Sequence, residues 1–443
     1  MDYLPGRVPQ QQPSGEDKIV MTPAHTDVSL GRAAPSRMVN QLSILLCCLA
    51  MVCDGFNVTI ISLAMPAVAA DWHLKGTGSF GAAFSAGVLG IMVGSPLMGS
   101  LANRLGRKAV FVFSLLFFGI ASLAICGISS VWQLLALRFV TGVGLGGALP
   151  LGIVISVDLT RPAWRARIIA VVSTGMTVGA AAAAFSAGWL LPNYGWRSLF
   201  VLGGVIPILV GLAALFILPA RRTAPEQERY LVSQRPGVIA ELFRGDLALA
   251  TPMIWALYLI VGLVNYFILS WSPTLYASAG HQPATVAVAL GLFSGVGAAG
   301  GLLIGWPIDR FGIRPIALLF LFGVPVVLLL AIPGLSNLGL MVGLALSGFI
   351  QIALQVGMNG VAATVYPAAA RAKGVGWGLG SVRLGQIIGA SGGGLLIGAG
   401  LPLQALFWLL AALLALGAVA SLHLDRRFRQ PAAAVLKIMD EGK

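Results

Sequence analysis

The chain has 443 residues, of which 58% are hydrophobic and only 10% charged, and its net charge is +13. Soluble domains are about one-quarter charged, so a water-soluble globular protein is excluded, and a mean hydropathy of +0.91 excludes a disordered one. With about 20 residues per spanning helix, the length holds twelve such helices plus loops and tails.

Residues 1–37 are polar, with no apolar run, and read as a disordered cytoplasmic tail without a cleavable signal peptide. Apolar segments follow at 38–64, 79–101, 109–128, 131–157, 166–190 and 197–219. After a polar stretch they resume at 250–276, 285–308, 315–333, 337–362, 371–398 and 402–423. The expected fold is all-α and integral to a membrane, with two six-helix bundles over 38–219 and 250–424. A cytoplasmic linker over 220–249 joins them, and 425–443 forms a cytoplasmic tail.

The positive charges test this count. With the N-terminus in the cytoplasm and the spans alternating, Lys75 and Arg197 fall on the far face, and Arg138 and Arg383 fall inside spans. The remaining 24 of the 28 Lys and Arg lie on the cytoplasmic side, as the positive-inside rule demands. This accounts for the basic balance without nucleic acid and puts both termini in the cytoplasm.

A repeat supports the two halves. Gly99–Lys108, between spans 2 and 3, and Gly305–Arg314, between spans 8 and 9, both read G-x-x-x-[N/D]-R-x-G-x-[K/R]. Repeats in the same orientation imply halves related by an axis along the membrane normal, with a substrate site between them near mid-membrane.

Ionisable groups inside a membrane cost about 2.5–3.5 kcal/mol each on insertion scales and mark functional sites. Asp54 is the one carboxylate well inside a span. Desolvation and a nearby arginine act on its proton affinity in opposite senses, which makes it the candidate proton carrier. Arg383, in span 11, offers a planar fork that fits a carboxylate, and no carboxylate shares its span. Arg138 lies in the first turns of span 4. The structural alternative is a buried ion pair such as Asp54 with Arg138.

Gln351, Gln355 and Asn359 recur every four residues on one face of span 10, and Tyr258, Asn265 and Tyr266 lie in span 7. Asn57 shares the face of Asp54. These groups either line a cavity or bond neighbouring helices. Gly142, Gly144, Gly146 and Gly147 in span 4, and Gly385, Gly389, Gly392, Gly393 and Gly394 in span 11, read as close-packing positions. The cysteines Cys47, Cys48, Cys53 and Cys126 lie in apolar runs, with no disulfide or metal-binding pattern.

These stretches resemble the major facilitator superfamily and, within it, the bacterial aromatic acid/proton symporters. Asp54-Gly55-Phe56 resembles the acidic motif of helix 1, and Gly99–Lys108 the superfamily loop. Arg138-Phe139-x-x-Gly142-x-Gly144-x-Gly146-Gly147, with Pro150 and Asp158, resembles the helix 4 signature. Tyr366-Pro367, Arg371-Ala-x-Gly374-Val-Gly376-Trp377 and Arg383-x-Gly385 resemble the stretch through helix 11.

The resemblance implies proton-coupled uptake of a benzoate- or hydroxybenzoate-like anion across the bacterial inner membrane. Asp54 would couple protons. Arg383 would hold or gate the anion, and Arg138 would belong to the helix 4 network; from their placement in the spans, Asn57, Arg138, Tyr266, Gln351, Gln355 and Asn359 are the further candidate substrate-binding residues. Asn103, Arg104, Gly106, Arg107, Asp158, Asp309 and Arg310 would form the cytoplasmic gate. The family has a second aspartate where this chain has Asn57, and aspartate where it has Asn103. Asn57 carries no proton, and Asn103 is left with a helix-capping role.

The proton gradient would be the coupling source, with no cofactor or metal. The expected partners are a small organic anion and the lipid bilayer, with the protein a monomer. The alternatives are a proton-coupled exporter, against which the fifth span lacks a Gly-Pro signature, and an uncoupled uniporter. An intramembrane enzyme lacks a nucleophile–base pair, and an ATP-driven pump lacks a phosphate-binding loop.

Overall fold

A computed structural model of the chain describes residues 37–74, 78–161, 164–219, 242–245 and 247–441. The expected N-terminal tail, residues 220–241 and 246 of the 220–249 linker with its Arg221, Arg222, Glu226, Glu228 and Arg229, and Lys75 lie outside the described residues.

Six helices form the first half: α1 (Arg37–Asp71), α2 (Gly78–Leu105), α3 (Arg107–Ala124), α4 (Val131–Asp158), α5 (Arg165–Tyr194) and α6 (Arg197–Ile217). Six form the second: α7 (Leu247–Ser278), α8 (Pro283–Phe311, interrupted at Ile304), α9 (Arg314–Leu329), α10 (Asn337–Val365), α11 (Ala368–Gly398) and α12 (Leu403–Glu441). Ten are long and apolar enough to cross a membrane. The other two are α9, a shorter apolar helix, and α11, which is 31 residues long, rich in glycine, and carries Arg383 in its middle.

Several helices outrun their expected ends. The α1 helix passes through Pro66 to Asp71, and α5 passes through Pro192 to Tyr194. Proline stops helices in water, but neighbouring helices in a membrane bundle satisfy the freed backbone groups. The last helix continues beyond 424 to Glu441.

The two halves repeat one packing scheme. In the first, α1 packs on α5, α2 on α4, α3 on α6, and α3 on α4. In the second, α7 packs on α11, α8 on α10, α9 on α12, and α9 on α10. The halves meet through α2 with α11, α5 with α8, and α1 with α7. The same order of pairings recurs in both halves, as the loop motif does.

Helix contacts within each half depend on small residues. A Cβ on Gly142 would overlap the carbonyl of Gly87 across α2 and α4, and one on Gly385 would overlap the carbonyl of Leu259 across α7 and α11. Gly392 is the exception among the expected packing glycines, with only Ile388 of its own helix at 4.0 Å.

The duplicated loop motif also has a backbone basis. Gly106 has φ +91° and Gly312 φ +67°, a region open to glycine, so both copies turn at the same motif position. Gly106 caps α3, whereas Asn103 lies inside the last turn of α2. The turn itself is made by Gly106, three residues after Asn103.

Candidate functional site

The charges inside the described spans are Asp54 on α1, Arg138 on α4 and Arg383 on α11. Asp54 is 3% exposed, and its Oδ1 is buried without a hydrogen-bond partner. Arg383 is the charge that acts on it, reciprocally. The ion pairs among the described residues are Arg107–Asp158, Arg197–Asp71 and Arg314–Asp425, so Asp54 and Arg383, on opposite halves, lie within electrostatic reach of each other without forming an ion pair. The Arg383 Nη1 instead donates to Gln386 Oε1 at 3.0 Å, one turn along α11.

Arg138 is 2% exposed. Its Nη1 and Nη2 both donate to the backbone oxygen of Asn57, each at 3.3 Å, and its Nε is buried without a partner. The Asp54–Arg138 ion pair does not form; Arg138 holds the backbone of α1. A Cβ on Gly87 of α2 would come 3.5 Å from Arg138 Nη2. Tyr266, buried on α7, is within electrostatic reach of both Arg138 and Arg383. The second half thus contributes a phenol and a guanidinium to the interface, opposite a guanidinium and a carboxyl from the first.

The Asn57 side chain turns away from the interface. Its Nδ2 donates to Gly203 O of α6 at 2.6 Å and to Cys53 O at 3.2 Å. A Cβ on Gly203 would come 3.2 Å from Asn57 Oδ1. The stripe on α10 divides by depth. Asn359 is exposed and its Oδ1 accepts from Tyr258 Oη at 2.9 Å. Gln355 is half-buried, and Gln351 is fully buried with both amide atoms unpartnered. Because α7 and α10 run antiparallel, eight residues from the Tyr258–Asn359 bond, about 12 Å along each axis, bring Tyr266 and Gln351 to a common depth.

The interface is closed at one end. Ser85 Oγ and Ser391 Oγ are 2.6 Å apart between α2 and α11, and a Cβ on Gly81 would sit 2.7 Å from Ala390 O. Phe80 stacks on Trp271 with centroids 6.3 Å apart, Phe84 meets the same ring edge-on at 5.4 Å, and Trp271 Nε1 donates to Ala390 O at 3.0 Å. Towards the other end, the same face of α11 continues through Gly380 and Gly376, where an added Cβ would meet nothing within 4 Å outside the helix's own backbone. That end carries the duplicated loops and is termed the basic end below.

At the basic end, Arg107 pairs with Asp158 between α3 and α4, inside one half. Lys108 donates to Leu218 O. Arg104, Asp309 and Arg310 are exposed, and Arg310 lies over the rings of Trp306 and Phe311 at 5.7 and 5.6 Å. In the second half the pair is Arg314 with Asp425 of α12, at 3.2 Å. None of these described pairs joins the two halves. At the closed end Arg197 pairs with Asp71 at 3.2 Å and lies 4.4 Å over the Trp196 ring.

Sequence reasoning missed Gln386, Ser85, Ser391 and Trp271. Gln386 had a usable signal, since it follows Arg383 by three residues on one helical face. The serines and Trp271 gave none, because their roles depend on contacts between halves. No group of three or more metal-ligating side chains occurs among the described residues.

Two like bundles with a buried carboxyl and two guanidiniums near their interface have the architecture of a membrane transporter. The Major Facilitator Superfamily profile matches residues 47–335 and 281–437. The gallate transporter of Pseudomonas putida is 32% identical over 403 residues, covering 85% of this chain and 90% of that protein. The 4-hydroxybenzoate transporter of Pseudomonas aeruginosa is 31% identical over 386 residues, covering 81% and 86%. The crystal structure of a bacterial homolog of the human lysosomal transporter Spinster, inward-facing and unoccupied, has the same fold, with TM-score 0.67 and 20% identity over 90% of this chain and 96% of that one. The chain belongs to the Major Facilitator Superfamily and, within it, to the aromatic acid/proton symporter family. It is a multi-pass membrane transporter and not an enzyme.

Proposed function

We propose that the chain takes up an aromatic carboxylate, benzoate- or hydroxybenzoate-like, together with protons by alternating access. Relatives named for gallate and 4-hydroxybenzoate transport support the substrate class. The observation that carries the coupling is Asp54: a buried carboxyl with an unpartnered oxygen, facing Arg383 across the two halves without an ion pair. A group so placed exchanges its proton as the halves move.

The anion binds between the halves beside Arg383, with Tyr266 and the Gln351 amide at the same depth. Asp54 is protonated in the loaded state, which lowers the charge that must cross the membrane interior. The halves then rock, exchanging the closed contact at Ser85–Ser391 for one at the basic end, where Asn103, Arg104, Gly106, Arg107, Asp158, Asp309 and Arg310 gate. Differential affinity of proton and anion for the two states drives the cycle. By the positive-inside rule, the basic end and both termini face the cytoplasm of a bacterial inner membrane, and the conformation described here opens inward. The protein works as a monomer with no cofactor beyond the proton gradient.

The test is uptake into proteoliposomes of a panel of labelled aromatic and aliphatic carboxylates under an inward proton gradient. Accumulation of an aromatic acid above equilibrium supports the reading. Transport only down the acid's own gradient makes the protein a uniporter, and movement only outward makes it an exporter.

A further inference from the structure

The central site contains one carboxyl and two guanidinium groups, and one guanidinium has no anion beside it. Arg138 is 2% exposed, bonds only to a neutral backbone carbonyl at 3.3 Å, and leaves its Nε unpartnered. A buried cation of this kind is costly without a counter-charge. Asp54 is not that partner: its charge neighbour is Arg383, and no ion pair of Arg138 occurs among the described residues. Residue 57, whose backbone oxygen takes the Arg138 fork, is an asparagine.

Arg138 nonetheless lies within electrostatic reach of the second half. Tyr266, from the other half, interacts electrostatically with Arg138 and Arg383 together. Both guanidiniums thus lie within electrostatic reach of one phenol. A ligand beside Tyr266 is therefore within electrostatic reach of two cations.

This charge count constrains the cargo, given the proton-coupled reading above. With Asp54 protonated in the loaded state, the site holds two positive charges. A monocarboxylate leaves one of them uncompensated in the low-dielectric interior, and a dianion leaves none. We infer that Arg138 is a second anion-binding cation of the central site and that the preferred substrate is an aromatic acid with two ionised carboxylates, one held by Arg383 and one by Arg138.

The experiment uses the full chain in proteoliposomes with an internal pH dye and labelled terephthalate, phthalate, benzoate and 4-hydroxybenzoate. A second guanidinium–carboxylate contact adds a charge-assisted bond, so a dicarboxylate is expected to half-saturate transport at about tenfold lower concentration than benzoate. Protons are expected to enter with it. Asn57→Asp places a carboxylate on the residue that Arg138 already touches. This substitution is expected to reverse the preference, so that benzoate outcompetes terephthalate. Arg138→Lys is expected to weaken terephthalate more than benzoate.

Benzoate entering with protons while no dicarboxylate competes would overturn the inference and leave the coupled reading standing. Benzoate entering without protons would overturn both, because the site is then neutral with Asp54 ionised. An unchanged preference in Asn57→Asp would remove Arg138 from the substrate even if Arg138→Lys fails to fold.

Discussion

Asp54 and Arg383 interact across the interface between the halves, yet the Arg383 fork is bonded to Gln386 at 3.0 Å and an Asp54 oxygen has no partner. A closed ion pair would lock the halves together. Without one, neither group has a counter-ion, as the proposed roles of the carboxyl toward a proton and of the guanidinium toward an anion require.

Arg383→Lys should weaken substrate binding. Lysine keeps the charge but loses the planar fork and the bond to Gln386. Loss of one hydrogen bond to a charged group costs about 1.5–3 kcal/mol, so the dissociation constant should rise at least about tenfold. Equilibrium binding of labelled acid to purified protein reads this directly, and an unchanged affinity would exclude Arg383 from the site.

Ser85 and Ser391 should report the closed end. Their oxygens are 2.6 Å apart across α2 and α11, so a Ser85→Cys/Ser391→Cys pair should oxidise to a disulfide. Uptake should stop on oxidation and return on reduction, because the cycle requires these helices to part. Full uptake by the cross-linked protein would mean that the contact is not a gate.

Glycine substitutions should sort by packing. Gly142→Ala drives a Cβ into the Gly87 carbonyl, and such overpacking costs about 1–3 kcal/mol. Gly392→Ala meets only Ile388 at 4.0 Å and should unfold with the parent. Thermal unfolding in detergent distinguishes the two, and equal midpoints would contradict the close approach of α2 and α4.

The spans, the duplicated loop and the three interior charges were legible because each is a local pattern: hydropathy, a motif spaced by glycines, or a charge against an apolar background. Helix ends at Pro66 and Pro192 were not, because rules learned from soluble helices stop at proline and a bundle interior overrides them. The choice of partner for Asp54 was not legible either. Arg138 and Arg383 were equally available on paper, and only the packing of α1 against α7 and α4, with α7 on α11, separates them. Asn57 shares the face of Asp54 by spacing, but Gly203 on α6 leaves room for its amide and draws it into the first half.

The most direct measurement records acid accumulation and internal acidification together in proteoliposomes holding the parent protein or Asp54→Asn, under one imposed inward proton gradient. The parent should concentrate an aromatic acid above equilibrium while the lumen acidifies, and Asp54→Asn should retain exchange of internal for external acid but lose both uphill accumulation and proton entry. Uphill accumulation by Asp54→Asn at the parent level would contradict the assignment of the proton to Asp54.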